Sequence, residues 1–175
     1  MLRTKSRQFD LESLVPENSI DEAIRISSLG DWSKKEKVGQ GTYGNVWRYA
    51  TPIKETPVAA GKHLIVKLFD LNEKEKTDLK AREDKFIAEL NTLRKIPSAF
   101  REYFVHLIGY YLGCEELVIF TEYMENGSIK GQILDNPLDE VTALKYIFQT
   151  THGVHFLHNL PVARIVHLDI KYSQK

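Results

Sequence analysis

The stretch Gly39-Gln40-Gly41-Thr42-Tyr43-Gly44-Asn45-Val46 decides the fold that this sequence predicts. Glycine has no Cβ, so three glycines at this spacing predict a tight hairpin whose backbone lies close to a phosphate chain and points N–H groups at it. Dinucleotide-binding loops share the spacing, but there a helix begins directly after the third glycine. Here the residues after Gly44 are β-like. The hairpin therefore joins two strands, and a dinucleotide oxidoreductase is disfavoured.

The composition is typical of a globular protein of one or two modest domains. The 175 residues are 42% hydrophobic and 27% charged. The 24 basic and 24 acidic side chains balance, so the net charge gives no attraction to nucleic acid or an anionic membrane. We find no apolar run of the ~18 residues that a membrane span requires. The single cysteine, Cys114, excludes an intrachain disulfide and indicates a reducing compartment, which we take to be the cytoplasm.

Residues 1–30 are predicted to form an N-terminal leader. Its basic start, residues 3–7, is not followed by the apolar run of a secretory signal, which favours a solvated tail. An organelle transit peptide is the alternative, disfavoured by the early acidic residues Asp10 and Glu12. Residues 19–22 have the spacing of a capping box and predict a short helix that ends near Gly30. No function is assigned to this leader.

A third strand and a long helix are predicted to bring opposite charges together. Residues 63–69 are rich in Leu, Ile, Val and Phe and predict a buried strand after a surface loop. Lys67 is costly to bury there, so it is either a phosphate-binding cation or an edge lysine that reaches water. A helix predicted at 73–95 places Glu89 at the margin of its apolar stripe, where it can pair with Lys67. A surface glutamate in a highly charged helix is the alternative.

Two further strands are predicted at 104–112 and 116–121, and residues 122–127 then leave the sheet. The backbone groups of Glu122 and Met124 are predicted to face an adenine edge, with Thr121 at the back of the pocket. A plain domain linker is compatible with the same residues. Cys114, in the turn between the two strands, is predicted to be inert.

The last part of the chain is predicted to be a long helix at 138–159 followed by a polar loop. The helix carries His152, His155 and His158, but their spacing does not place all three on one narrow face, so a zinc site is disfavoured. In the loop, Asp169 is placed to accept a hydrogen bond from an attacking hydroxyl group. Lys171 can neutralise charge on a transferring phosphoryl group.

Taken in chain order, the glycine hairpin, strand lysine, helix glutamate, hinge, long helix and catalytic loop resemble the protein kinase family over roughly residues 36–174. The resemblance implies an α+β fold, with a kinase-like small lobe at 31–121 that contains an antiparallel five-stranded sheet and one long helix. It implies a hinge at 122–127 and the truncated start of the helical large lobe at 128–175. Residues 124–134 and 165–171 are most similar to MAP kinase kinase kinases among the serine/threonine kinases.

The resemblance also implies ATP and Mg²⁺ as cofactors, and a protein substrate or a partner kinase as the partner. Asp169, Lys171 and Lys67 are the implied catalytic residues. The implied nucleotide-binding residues lie in the hairpin, the third strand, the long helix and the hinge: Val38, Gly39, Gln40, Gly41, Thr42, Tyr43, Gly44, Val46, Ile65, Lys67, Glu89, Thr121, Glu122 and Met124. No metal ligand is assigned.

Four departures separate this sequence from the family pattern. Leu168 replaces the Arg that contacts a phosphorylated activation loop, and Gln174 replaces the Asn that binds a second Mg²⁺. Ile65 replaces the Ala that packs on adenine and would narrow the pocket. The sequence stops at Lys175, before the Asp-Phe-Gly segment whose Asp holds Mg²⁺. We therefore expect uncovered apolar surface on the 138–159 helix and negligible phosphoryl transfer from these 175 residues alone.

Two functional hypotheses follow. In the first, the sequence is part of an ATP-dependent serine/threonine kinase, in which Lys67 and Glu89 position ATP and Asp169 acts as the base. In the second, it is a non-catalytic, pseudokinase-like regulator that binds a nucleotide or a partner kinase, which Leu168 and Gln174 favour. Binding of ATP without turnover distinguishes the second hypothesis from the first.

Overall fold

The computed structural model describes residues 20–41, 44–65, 96–113 and 116–160. Between 77 and 94 it describes a set of helical residues: Thr77, Asp78, Ala81, Asp84, Ile87, Ala88, Leu90, Asn91 and Arg94. These residues confirm the predicted long helix where it is described. The described residues form two compact units. The second unit comprises the described residues of Ile96–His106 and those from Met124 onwards, and the first unit comprises the rest.

The first unit is built on a five-stranded antiparallel sheet. Its strands are β1 (Ser33–Gly41), β2 (Gly44–Ala50), β3 (Val58–Ile65), β4 (Leu107–Leu112) and β5 (Glu116–Glu122). They lie in the order β1-β2-β3-β5-β4, and each neighbouring pair is antiparallel. The predicted α+β fold with a kinase-like small-lobe sheet is confirmed.

The predicted start of the third strand is wrong. The sequence places it at His63, whereas β3 begins at Val58. A Cβ added to Gly61 would lie 2.7 Å from Cε2 of Tyr49 and 2.9 Å from Cε1 of Phe120, so this position can hold only a very small residue. Small residues have low strand propensity, which concealed the strand, but packing under two aromatic rings overrides that propensity.

One face of the sheet carries a cluster of core residues. Tyr49, Ala59, Val118 and Phe120 form a cluster in which each residue is at most 3% exposed. Apolar residues from the segment that precedes β1 pack on this cluster, and the ring centroid of Trp32 lies 4.4 Å from that of Phe120. The N-terminal segment therefore completes the core of the sheet.

The prediction of a short helix that ends near Gly30 is also wrong. The structure has a single 3-10 turn, Glu22–Ile24, whose N-cap Asp21 accepts a hydrogen bond from the Ala23 N–H. The chain is extended at Arg25, because the backbone N–H of Ile26 donates to the carbonyl oxygen of Tyr110 on β4 at 2.7 Å. Pairing with the sheet therefore replaces the predicted continuation of the helix.

A buried histidine network lies beside the core. His63 is 4% exposed, its Nε2 lies 2.7 Å from the Tyr49 hydroxyl, and its Nδ1 lies 3.1 Å from a carboxylate oxygen of Glu116. The carboxylate can only accept, so Nδ1 carries the proton and Nε2 accepts from the Tyr49 O–H. Burial, and to a lesser extent the charge of Glu116, raises the pKa of Tyr49 to about 12. Burial and the charge of Lys34 lower the pKa of His63, against the opposing effect of Glu116.

We expect the stability of the chain to fall below about pH 6.5 because of His63. In the unfolded chain this side chain binds a proton near pH 6.5, whereas its lowered pKa keeps it neutral in the fold. The unfolded state therefore binds more protons below that pH, and the free energy of unfolding falls by at most about 1.4 kcal/mol per pH unit. Urea unfolding from pH 5 to 8 measures this slope. His63→Gln removes the titrating group while its amide oxygen can still accept from the Tyr49 O–H, so this variant should flatten the slope. An unchanged slope would contradict the assignment.

The second unit contains a 3-10 helix at Ser98–Tyr103, α1 (Ile129–Asp135) and α2 (Glu140–His158). The 3-10 helix packs on α2, with ring centroids of Phe100 and Phe156 4.2 Å apart. The strand predicted from residue 104 begins only at Leu107, as β4, because the 3-10 helix occupies the chain up to Tyr103.

The α2 helix confirms the helix predicted at 138–159 and carries the uncovered apolar side chains that we expected. These are between 57% and 77% exposed: Val141, Leu144, Ile147 and Phe148. In the part of the chain that the structure describes, no helix has both the length and the apolar character needed to cross a bilayer.

Candidate functional site

The glycine hairpin is formed by β1 and β2. The two strands stay paired up to Gly41 opposite Gly44, with Gly39 opposite Val46. The residues after the third glycine form a strand, Gly44–Ala50, and not a helix. This excludes the dinucleotide-binding arrangement, which requires a helix N-terminus at that point.

The fold itself does not require a glycine at position 39. A Cβ added to Gly39 would lie 3.6 Å from the Cβ of Val46, which is ordinary van der Waals contact. The φ angle of Gly39 lies outside the left-handed region, whereas Gly127 has a φ of +64°. Because Gly39 has no side chain, a ligand group has room to approach the backbone of the hairpin at this position.

The register of the sheet brings several candidate residues onto one face. Val46 on β2 lies opposite Lys62 on β3, and Lys62 lies opposite Ile119 on β5. In the next row, Ala60 lies opposite Thr121. Residues directly opposite each other share a face of the sheet, and so do residues two positions apart on a strand. We call the face defined by Val46, Ala60, Lys62, Ile119 and Thr121 the Val46 face.

The Val46 face combines small, apolar and charged groups. Ile119 is 1% exposed, while Val46, Ala60, Lys62 and Thr121 are half-buried. A flat apolar ring can pack on Val46 and Ala60, and the ammonium of Lys62 can interact with an anionic group attached to that ring. This arrangement can bind a nucleotide whose phosphates extend towards the hairpin.

The chain leaves this sheet through Glu122 and Met124. Glu122 is the last residue of β5 and lies opposite Ala59. Met124 is exposed, and its carbonyl oxygen accepts a hydrogen bond from the Gly127 N–H at 3.0 Å. The Met124 carbonyl is therefore part of a turn.

Comparison with known proteins decides the family. A family model described as "Protein kinase domain" matches residues 32–174, which is most of the chain. The chain belongs to the protein kinase family. Enzymes of this family transfer the γ-phosphoryl group of ATP to a protein hydroxyl group. The resemblance seen in the sequence is confirmed at this level.

Individual kinases are similar to most of this chain but are much longer. The serine/threonine-protein kinase flr-4 of Caenorhabditis elegans is 27% identical over 87% of this chain and 26% of its own length. The serine/threonine-protein kinase-like protein CCR4 of Arabidopsis thaliana is 29% identical over 90% of this chain and 20% of its own length. The leucine-rich repeat receptor protein kinase MSP1 of rice is 31% identical over 85% of this chain and 11% of its own length. The chain spans about a quarter or less of these relatives.

Lys62 of β3 is a candidate that the sequence prediction does not include. The kinase strand motif Val-Ala-Ile-Lys has an alanine two residues before the lysine, and Ala60-Gly61-Lys62 has the same order. Because the sequence predicts that the strand begins at His63, it leaves Lys62 outside the strand and favours Lys67. Ile65, predicted to replace the adenine-packing alanine, lies opposite Glu116 at the end of β3.

Several predicted kinase site residues lie outside the described part of the chain: Thr42, Tyr43, Lys67, Glu89, Asp169, Lys171 and Gln174. Two further predicted site residues lie in β1. Val38 is 41% exposed, and the Gln40 side chain accepts a hydrogen bond from the Lys37 ammonium. The structure thus brings together the hairpin, the strand residues and the residue before the hinge. The catalytic loop stays a sequence prediction.

Proposed function

We propose that this chain carries the ATP-binding part of a serine/threonine protein kinase, and that ATP lies against the Val46 face. The observation that supports this most strongly is the register that aligns Val46 with Lys62 and Ala60 with Thr121. An apolar residue, a small residue and a cation then lie in adjacent rows beside the glycine hairpin. The apolar and the small residue suit the adenine ring of a nucleotide, and the cation suits its phosphates.

The residues of the Val46 face have distinct roles in this proposal. Val46 and Ala60 pack on the adenine ring, and Thr121 borders it from the β5 side. The Lys62 ammonium binds the α- and β-phosphates, while the backbone of Gly39 lies close above them. When bound, ATP supplies the phosphoryl group that is transferred. Mg²⁺ is expected with it, but its expected ligands lie outside the described residues.

Calorimetric titration of the chain with ATP and Mg²⁺ tests the binding directly. The expected result is saturable binding of one ATP per chain, with a higher melting temperature in the presence of ATP. NADH under the same conditions should not bind, because the helix that a dinucleotide needs is replaced by β2. Failure of the folded chain to bind ATP at millimolar concentration would overturn the proposal.

Gly39→Ala is expected to weaken ATP binding about fivefold while leaving the melting temperature nearly unchanged. The added methyl group fits against Val46, but it keeps the phosphates away from the backbone N–H groups. The loss corresponds to roughly one hydrogen bond of about 1 kcal/mol. Calorimetry and thermal melting measure the two effects.

Gly131→Ala, in α1, is the matched control because its added Cβ would also make only an ordinary contact, 3.9 Å from the Ser128 hydroxyl. This control should leave the affinity for ATP unchanged. Equal affinities for the Gly39→Ala variant and the unmodified chain would contradict the placement of the phosphates.

The catalytic assignments extend the proposal to the reaction. Asp169 accepts the proton of the attacking hydroxyl group and Lys171 neutralises charge on the phosphoryl group. Residues 124–134 and 165–171 support a MAP kinase kinase kinase-like signalling role. The single cysteine supports a cytoplasmic location, and the partner is a protein substrate or another kinase.

A non-catalytic, pseudokinase-like regulator is the second candidate function. Leu168 and Gln174 favour it, because each replaces a residue that the family uses in catalysis or its control. Transfer of labelled γ-phosphate to a generic protein substrate distinguishes the two functions. Transfer that Asp169→Asn abolishes supports the kinase. ATP binding without transfer is the result expected of these 175 residues under either function, so only detected transfer decides between the two.

A further inference from the structure

We propose that residues 20–32, which we call the bracket, position the 77–94 helix of this kinase for ATP binding through an ion pair between Asp21 and Arg94. This inference rests on the proposed function, because it concerns the same ATP site. Three features of the described residues support it: the backbone pairing of the bracket with β4, its apolar anchoring on the sheet, and the contact that it makes with the helix.

The backbone of the bracket is fixed to β4. The Ile26 N–H donates to the Tyr110 carbonyl at 2.7 Å, and Arg25 forms a parallel bridge with Tyr110. At Gly109, an added Cβ would lie 2.5 Å from the backbone carbonyl oxygen of Ile24. The bracket can therefore approach β4 this closely only because position 109 is a glycine.

Apolar side chains anchor the bracket on the sheet. Ile20 is 7% exposed, and Ile26, Leu29 and Trp32 pack on the core cluster. The indole of Trp32 lies against the ring of Phe120. Both ends of the bracket are thus held by burial, so Asp21 is presented from a rigid support.

Asp21 links this support to the helix. One carboxylate oxygen accepts from the Ala23 N–H at 2.9 Å, and the other lies 2.5 Å from Nη2 of Arg94. The side chain of Asp21 is 28% exposed and that of Arg94 is 51% exposed. Four residues earlier on the helix, Leu90 is 1% exposed. Burial of Leu90 and the ion pair of Arg94 together restrict rotation of the helix about its axis.

Rotation of this helix bears on the ATP site. The sequence predicts Glu89 as the partner of the phosphate-binding lysine, which it takes to be Lys67 and which the proposed function takes to be Lys62. Glu89 directly precedes the buried Leu90 in the sequence. Successive helical residues are about 100° apart around the axis, so rotation of a helix redirects every side chain that it carries. Arg94 is thereby a positioning residue, and Asp21 sets its position.

Asp21→Asn provides a nearly isosteric test. The amide oxygen still accepts from the Ala23 N–H, but the charge that attracts Arg94 is lost. We expect ATP to bind about two- to fivefold more weakly, as for a partly exposed ion pair. We also expect faster hydrogen exchange of the amides in 77–94. Asp31→Asn makes the same chemical change at an exposed position of the bracket and should alter neither quantity.

A double-mutant cycle with Glu89→Gln separates positioning from a general effect on stability. If the bracket acts through Glu89, Asp21→Asn should not weaken ATP binding any further once Glu89→Gln is present. Additive losses, or ATP binding and hydrogen exchange unchanged by Asp21→Asn, would overturn the inference while the ATP site stands. Failure of the unmodified chain to bind ATP would overturn the proposed function and this inference with it.

Discussion

Lys62→Met is expected to weaken ATP binding about 10- to 150-fold. Lys62 lies opposite Val46 and Ile119 on the Val46 face, where its ammonium can reach the phosphates. A hydrogen bond between charged groups contributes about 1.5–3 kcal/mol, which corresponds to this change in affinity. Methionine keeps the unbranched shape of the lysine side chain and removes its charge, so the change in affinity reports on the ammonium group. Calorimetric titration with ATP and Mg²⁺ measures the affinity.

Lys67→Met is the matched control, because it makes the same substitution at the lysine that the sequence favoured. We expect it to change the affinity for ATP less than Lys62→Met does. If Lys67→Met has the larger effect, Lys62 is not the phosphate-binding lysine and the original sequence prediction is correct.

Gly61→Ala is expected to lower the free energy of unfolding by about 1–3 kcal/mol, the usual cost of overpacking a core. The new Cβ would lie 2.7 Å from Cε2 of Tyr49 and 2.9 Å from Cε1 of Phe120. Neither ring can move away easily, since Phe120 is fully buried and the Tyr49 hydroxyl is hydrogen-bonded to His63. Urea unfolding at neutral pH gives the free energy.

Gly39→Ala serves as the control for Gly61→Ala, since both add one methyl group to a strand of the same sheet. The Cβ at position 39 makes an ordinary contact, so its effect on unfolding should be small. If the two variants are equally stable, the close packing described around Gly61 is incorrect.

The hairpin and most of the sheet could be predicted because their signals are local. The glycines and the β-like residues after Gly44 specify two strands and a turn within a short stretch. The long helix at Glu140–His158 is similarly visible from its composition, and its cap, Asp139, lies next to it in the sequence. These features can be predicted without knowing which distant residues they contact.

Lys62 and the bracket could not be predicted because they depend on residues far away in sequence. Gly61 next to Lys62 indicates a loop until the rings of Tyr49 and Phe120 are seen to cover it. Trp32 likewise packs on Phe120, a contact that no local pattern indicates. In both places tertiary packing overrides local propensity.

The most direct test of the ATP site is to titrate the isotope-labelled chain with ATP and Mg²⁺ and follow its backbone amide resonances. Residues of the hairpin and the Val46 face should shift in a saturable way, above all Gly39, Val46, Ala60, Lys62 and Thr121. Core residues of the opposite face, such as Tyr49 and Val118, should shift much less. Shifts confined to the second unit, or no shift at saturating ATP, would contradict the account.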